Sequence, residues 1–131
     1  MDLWPVDIRR FGSVHQDPQW VLTRTLEAYA HHYSMAWPHE ELESARPVRV
    51  SPLYERLKAQ GACFGELMGW ERANWFAPPG VEARYEYAHG RQNWFPFSAA
   101  EHRAVREGVA IFDESTFGKI LVSGADACAV L

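Results

Sequence analysis

Residues 61–76 read GACFGELMGWERANWF, and this stretch constrains the fold more than any other part of the chain. It holds two of the six tryptophans, two phenylalanines and three glycines, with a Glu71-Arg72 pair between Trp70 and Trp75. Aromatic side chains at this density bring a large buried area, and each buried indole N–H calls for a hydrogen-bond partner. Gly61, Gly65 and Gly69 mark places where the backbone turns or approaches another group closely. Cys63, Phe64, Leu67 and Met68 fit a short strand bounded by glycine. The expectation is a packed strand and turn in which Glu71 and Arg72 form a satisfied ion pair. Trp70, Trp75 and Trp94 are expected to be buried and to pack with Phe64 and Phe76.

A chain of 131 residues is one domain, or one small domain with a piece of another. With 47% hydrophobic and 14% aromatic residues it has the material for a core, which excludes global disorder. The net charge of -4 gives no basic excess, so nucleic acid is not an expected partner. No apolar run approaches the roughly 20 residues needed to span a bilayer, so no membrane partner is expected. MDLWPVDIRR reads neither as a signal peptide nor as an Arg-rich transit sequence. Cys63 and Cys128 make no metal or redox motif and are expected to be reduced, buried thiols.

The elements follow from local signals. Asp7 with Arg9 and Arg10 offers exposed ion pairs of little energetic weight. Asp17-Pro18 is a helix start, with Asp as N-cap and Pro in the first turn. Leu22, Leu26, Tyr29 and Tyr33 then recur on one helix face, and Trp37-Pro38 is the expected stop. His31 and His32 are adjacent, so they point about 100° apart on a helix and lack metal-ligand spacing. Residues 39–50 are polar and acidic, the pattern of a surface loop. Ser51-Pro52 opens a short helix with Leu53 and Leu57 facing inward, closed by Gly61. Residues 77–87 read as a surface connection, with a turn at 77–80 and an alternating Arg84-Tyr85-Glu86-Tyr87 strand ended by His89-Gly90. Ser98 and Glu101 form a capping box for a helix that carries Val105, Val109 and Phe112, with Gly108 as its weak point. Ile120 and Val122 alternate as a strand up to Gly124, and residues 125–131 begin another helix. The fold class expected is α+β.

Several stretches resemble the sarcosine and dimethylglycine dehydrogenase family. GACFGELMGWERANWF is similar to that family's GWERPxWF segment, with Ala73 where the family usually has proline. YAHHYSMAWPHEE resembles the sarcosine dehydrogenases, and ARPVRVSPLYERL the dimethylglycine enzymes. RQNWF resembles the connector into a folate-binding domain, and VREGVAIFDESTFGKILVSGADA the opening of the glycine-cleavage T-protein fold. The resemblance covers about residues 2–131. It implies a helix-and-strand central (linker) domain over residues 1–95, followed over 96–131 by the truncated start of a T-protein-like folate-binding domain. Met1-Asp2 then stands where a longer protein would be in mid-chain.

The resemblance also implies a parent enzyme that demethylates a methylated glycine, with FAD taking the hydride and tetrahydrofolate the one-carbon unit. Its partners would be an upstream flavin domain and a downstream folate domain, in the cytoplasm or, in a eukaryote, the mitochondrial matrix. The residues themselves add no active site. The glycines lack the GxGxxG spacing and following helix that hold a flavin diphosphate. No nucleophile motif is present, and His15, His89 and His102 are isolated. No catalytic, cofactor or metal residue is therefore expected here, and no cofactor for the chain by itself. Arg72 and Arg91 are candidates to hold a carboxylate, although arginine beside tryptophan is more often a stacking or ion-pair site. Trp70, Glu71, Arg72, Trp75, Arg91 and Trp94 are the residues expected to shape the joint between domains. A non-catalytic regulatory or scaffold member of the same superfamily is the alternative, as is an independent small binding protein.

Overall fold

The computed structural model of the chain describes residues 3–130, so the expectations at Met1-Asp2 and at Leu131 lie outside the described residues. Among the described residues, four α-helices, short 3-10 turns and one two-stranded sheet make an α+β fold: α1 (Pro18–Ala30), α2 (Tyr54–Ala59), β1 (Ala62–Leu67), β2 (Trp70–Phe76), α3 (Phe95–Glu107) and α4 (Ala127–Val130).

The organising unit is the antiparallel β1–β2 hairpin. Its two-residue turn places Met68 at φ 52° and Gly69 at φ 83°, the doubly positive pattern of a type I′ turn, whose twist matches that of the flanking strands. Met68 thus belongs to the turn rather than to the strand expected from its apolarity. At the other end Gly61 sits at φ 88°, and a Cβ there would lie 2.4 Å from the carbonyl oxygen of Ala77. That close approach lets Ala77 N donate to Gly61 O at 2.8 Å, extending the hairpin by one bond. Cys63 faces Trp75 and Phe64 faces Ala73, which leaves Asn74 as a bulge without a cross-strand partner. A bulge of this kind turns its side chain out of the ladder.

The core is small: Val14, Ala62, Cys63, Trp75 and Ala77 are the buried apolar residues described. Trp75 is 1% exposed and stacks on Phe97 of α3 with ring centroids 5.6 Å apart. Burial of the other two indoles is not borne out. Trp70 and Trp94 are only half-buried, and Phe64 packs on Tyr54 at 4.5 Å rather than on an indole. The Nε1 groups of Trp20 and Trp75 are buried without an oxygen or nitrogen acceptor. Cys63 is buried as expected, but Cys128 is exposed.

α1 starts as its cap dictates, with Asp17 Oδ1 accepting from the amides of Gln19 and Trp20. It ends earlier than expected. After a single 3-10 turn at His31–Tyr33, the amide and hydroxyl of Ser34 both donate to the His31 carbonyl and close it before Trp37. Its orientation is the larger surprise. Leu22, Leu26, Tyr29 and Tyr33 face outward, Leu26 being 64% exposed. The face turned to the hairpin carries Trp20, Arg24 and Glu27 instead.

Three further expectations are corrected. α3 begins at Phe95, after Trp94, with Pro96 in its first turn, so Ser98 lies inside the helix and caps nothing. Pro in a first turn loses no needed N–H, and here that signal prevails over the capping box. α3 ends at Glu107 against Gly108, leaving Val109 and Phe112 outside it. Residues 84–87 and 119–123 form no ladder, so neither is a strand. The Tyr alternation still sets burial: Tyr85 and Tyr87 are half-buried while Arg84 and Glu86 are exposed. Side-chain amides take up part of the backbone of this segment and of Ala88 next to it. Gln92 bonds both the amide and the carbonyl of Ala88, and Asn93 accepts from Glu86 N and donates to Arg84 O. In α2, Leu57 is half-buried but Leu53 is exposed. The Ser51 hydroxyl caps the turn before it by accepting from Leu53 N.

Candidate functional site

The polar centre of the molecule lies where residues 39–50 cross the hairpin. This segment is not the solvated loop its composition suggests. Glu66 and Glu71 stand directly opposite each other on β1 and β2, and like charges in that position are destabilising. Two arginines from upstream resolve the conflict. Arg46 grips Glu71 with both its Nε (2.9 Å) and Nη2 (2.7 Å), and Nη2 also donates to the Phe64 carbonyl at 3.0 Å. Arg24 of α1 donates to Glu66 at 2.7 Å. Glu71 is therefore half of a buried bidentate pair, but its partner is Arg46 and not the adjacent Arg72. Neighbours in a strand point to opposite faces, so Arg72 cannot reach it. Its hydrogen bonds to Glu71 hold Arg46 protonated more firmly than usual, against the opposing effect of burial.

The same loop is tied to α1 and the bulge by carboxylates. Burial alone would raise the Glu27 carboxyl, but hydrogen bonds from the Ser44 hydroxyl and the amides of Glu43 and Ser44, with Arg24 nearby, hold it below the usual range. Glu41 accepts from Glu66 N at 2.9 Å and from Asn74 Nδ2 at 3.2 Å. Asn74 also donates to the Tyr85 hydroxyl at 2.6 Å. Burial pushes that phenol up to about 12 and the Cys63 thiol up to about 11. Cys63 is thus a core thiol rather than a nucleophile.

The six residues expected at a domain joint are distributed as follows. Trp70 bridges to Arg49, whose guanidinium lies 5.8 Å from its ring centroid. Glu71 is in the buried pair. Arg72 lies over Phe117 at 4.5 Å and Arg91 over Phe95 at 4.7 Å, so both are stacking residues, with no carboxylate beside them in the described structure. Trp75 and Trp94 line one cleft with His39, Glu41, Asn74 and Tyr85. Arg24, Glu41, Arg46 and Tyr85 were not among the candidates. Only the Tyr85–Tyr87 alternation gave any local signal for one of them.

Among the described residues no group of His, Cys, Asp and Glu is arranged to hold a metal ion, and no helix is long and apolar enough to cross a membrane. The residues present do not fit a flavin diphosphate either. The first-turn amides of α1 are already bonded to the Asp17 carboxylate, which would repel a phosphate, and Gly61, Gly65 and Gly69 belong to the hairpin rather than to a turn before a helix.

Residues 1–51 match the FAD dependent oxidoreductase central domain, and residues 53–131 match the GCVT N-terminal domain. The chain belongs to the sarcosine and dimethylglycine dehydrogenase family. Its relatives include 4-methylaminobutanoate oxidase (formaldehyde-forming) of Paenarthrobacter nicotinovorans, 46% identical over 95% of this chain and 15% of that protein. Human mitochondrial sarcosine dehydrogenase is 36% identical over 96% of the chain and 16% of its own length. Human mitochondrial dimethylglycine dehydrogenase is 34% identical over 99% and 15%. The chain thus spans 15–16% of the length of these relatives. The two family matches meet between residues 51 and 53, ahead of the hairpin. The arginines that grip the hairpin glutamates, Arg24 and Arg46, come from the first match, and the hairpin comes from the second.

Proposed function

We propose that this chain is the connecting segment of a flavin-dependent N-methylglycine dehydrogenase acting on sarcosine or dimethylglycine. In the complete enzyme FAD would accept the hydride from the N-methyl carbon and tetrahydrofolate would take up the one-carbon unit. The chain itself would contribute the rigid joint that holds the two sites in position, in the cytoplasm or, in a eukaryote, the mitochondrial matrix.

The observation that carries this reading is the clamp of Arg24 and Arg46 on Glu66 and Glu71. It fastens the part of the chain similar to a flavin-enzyme central domain onto the part similar to a folate-protein domain. Buried ion pairs are weak sources of net stability but good fixers of geometry. The uncovered apolar surfaces support the same reading. Leu22, Leu26 and Tyr29 on α1, and Ile120 and Leu121 near the C-terminal end, are exposed, and apolar surface of this extent favours contact with further protein. The first would meet the upstream flavin domain and the second the remainder of the folate domain.

The test is to add FAD and sarcosine or dimethylglycine to the purified chain and follow flavin absorbance with an electron acceptor present. No substrate-dependent bleaching is expected, whereas a chain extended to the length of the relatives should bleach. Bleaching by the chain alone, above a heat-denatured control, would overturn the connecting role. Failure of the extended chain would point instead to a non-catalytic member.

A further inference from the structure

The turn after α3 gathers three backbone carbonyls around one point. The oxygens of Glu114, Ser115 and Phe117 lie 2.8, 2.7 and 2.9 Å from Lys119 Nζ. An ammonium carries three N–H donors, and each is matched here by one oxygen. The turn does not depend on Lys119 alone. Glu114 O also accepts from Phe117 N at 3.0 Å, through its second lone pair. Asp113 accepts from Ser115 N at 3.0 Å and from the Ser51 hydroxyl at 2.6 Å, and Arg72 lies over the Phe117 ring at 4.5 Å. The carbonyls are therefore held in place from outside. The Asp113 carboxylate backs them with negative charge, because hydrogen bonds from Ser115 and Ser51, with Lys119 nearby, hold its carboxyl below the usual range.

The donor set selects the cation. Mg2+ takes oxygens at about 2.0–2.1 Å and Ca2+ at about 2.3–2.6 Å, usually with carboxylates among them. Neutral carbonyls at 2.7 to 2.9 Å suit a larger ion of single charge, whose hydration shell carbonyl oxygens can replace. We propose that the 114–117 turn is a monovalent-cation site, filled in this chain by the tethered ammonium of Lys119 and open to potassium or free ammonium ion once that tether is removed. Glu114, Ser115 and Phe117 are exposed, so an ion reaches the site without unfolding. The inference does not rest on the connecting role, and its test needs no flavin.

Two measurements on the whole chain test it. In the unmodified chain, limited acetylation with an N-hydroxysuccinimide ester, resolved by peptide mass spectrometry, should modify Lys119 severalfold more slowly than Lys58, the only other lysine. Equal rates would show that the carbonyls do not hold the ammonium. Lys119→Met keeps the apolar stem and removes the charge. In that variant labelled with 15N, the amides of residues 115–118 should shift saturably with potassium or ammonium chloride, at an ionic strength held constant with N-methylglucamine chloride. Lithium, which is too small for these distances, should bind about tenfold more weakly. The unmodified chain and Lys58→Met should show no such shift. Absence of a saturable shift in Lys119→Met, an equal response to lithium, or the same response in the unmodified chain would each overturn the proposal. A turn that melts in the variant and is not restored by potassium would count against it equally.

Discussion

Glu71 carries the most consequential side chain in the hairpin, and its partner decides what mutation does. Its side chain is 3% exposed and that of Arg46 is 16% exposed. Removing one member of such a pair strands the other charge, so Glu71→Ala should cost about 3–5 kcal/mol in denaturant unfolding. Arg72, adjacent in sequence, stacks on Phe117, and Arg72→Ala should cost about 0.5–1 kcal/mol. Equal costs for Arg72 and Arg46 variants would contradict the assignment of the pair. Glu27 makes a second prediction, for pH. Its folded carboxyl lies below the ordinary value of 4.5, so the stability it contributes is complete above that value and is lost as pH falls through the lower, folded value. Glu27→Gln should therefore flatten the acid limb of the stability curve below about pH 4.5 and leave its neutral-to-alkaline shape unchanged. An unaltered acid limb in the variant would remove Glu27 from this role. Neither partner was legible in the sequence. Arg46 lies 25 residues before Glu71 and Arg24 lies 42 before Glu66, and no local pattern reports a contact across such distances.

At the level of elements, the hairpin was the most legible part, because glycine punctuation is a local signal. Gly61, Gly65 and Gly69 marked a turn and two close approaches, and each is explained by φ or by space. A third prediction follows from them. Gly61→Ala forces an L-residue to φ 88° and drives its Cβ to 2.4 Å from a backbone oxygen, whereas at Gly69 the nearest atoms are the methyls and Cβ of Val14 at 3.6 Å or more. Both changes carry the left-handed penalty of roughly 1–2 kcal/mol. Gly61→Ala should lower the melting temperature further, because backbone must also move, and a larger loss at Gly69 would refute that account. Helix starts were legible only where cap and apolar face agreed. At α1 they did. At α3 the capping box at Ser98 matched a motif, but the true N-cap is Trp94, four residues earlier, where Pro96 fits the first turn. The strands expected at 84–87 and 119–123 fail for one shared reason: alternation describes which side is buried, whereas a strand also needs a neighbour. Residues 84–87 obtain substitute partners from Asn93, at Arg84 O and Glu86 N, and Gln92 holds the adjoining Ala88, so the alternation there is real although no ladder exists.

For the molecule as a whole, polar contacts are concentrated around the hairpin, and apolar surface is left uncovered on α1 and after α3, among other places. Fold class and family were legible in the sequence because GWERANWF and VREGVAIFD are specific. The orientation of α1 was not, since an apolar helix face says that something covers it and not what. The segment after α3 is the more weakly held of the two. Ser51 donates to Asp113 at 2.6 Å and Arg72 covers Phe117, which anchors residues 113–117. Beyond them Lys119 Nζ bonds the carbonyls of Glu114, Ser115 and Phe117, so its anchoring is local. Ile120 and Leu121 are 89% and 92% exposed and belong to no helix or ladder. Local opening free energy is lowest where apolar contacts are few and backbone bonds are unprotected. The Pro78–Gly80 and His89–Gly90 turns are better braced: Val81 N bonds Pro78 O at 3.0 Å, and Gln92 bonds Ala88 beside the second. Thermolysin, which cuts before large apolar residues, should therefore act first at Ile120 or Leu121. Mass spectrometry should show an early product ending at Lys119 or Ile120 that retains α1, the hairpin and α3. Ser51→Ala, which removes one anchor of the segment, should speed that cut severalfold without moving it, because the site stays the same while the opening it requires becomes easier. A first cut inside Pro18–Ala30 or at the Pro78–Gly80 turn would show that the hairpin region, and not the C-terminal segment, is the least stable part of the chain.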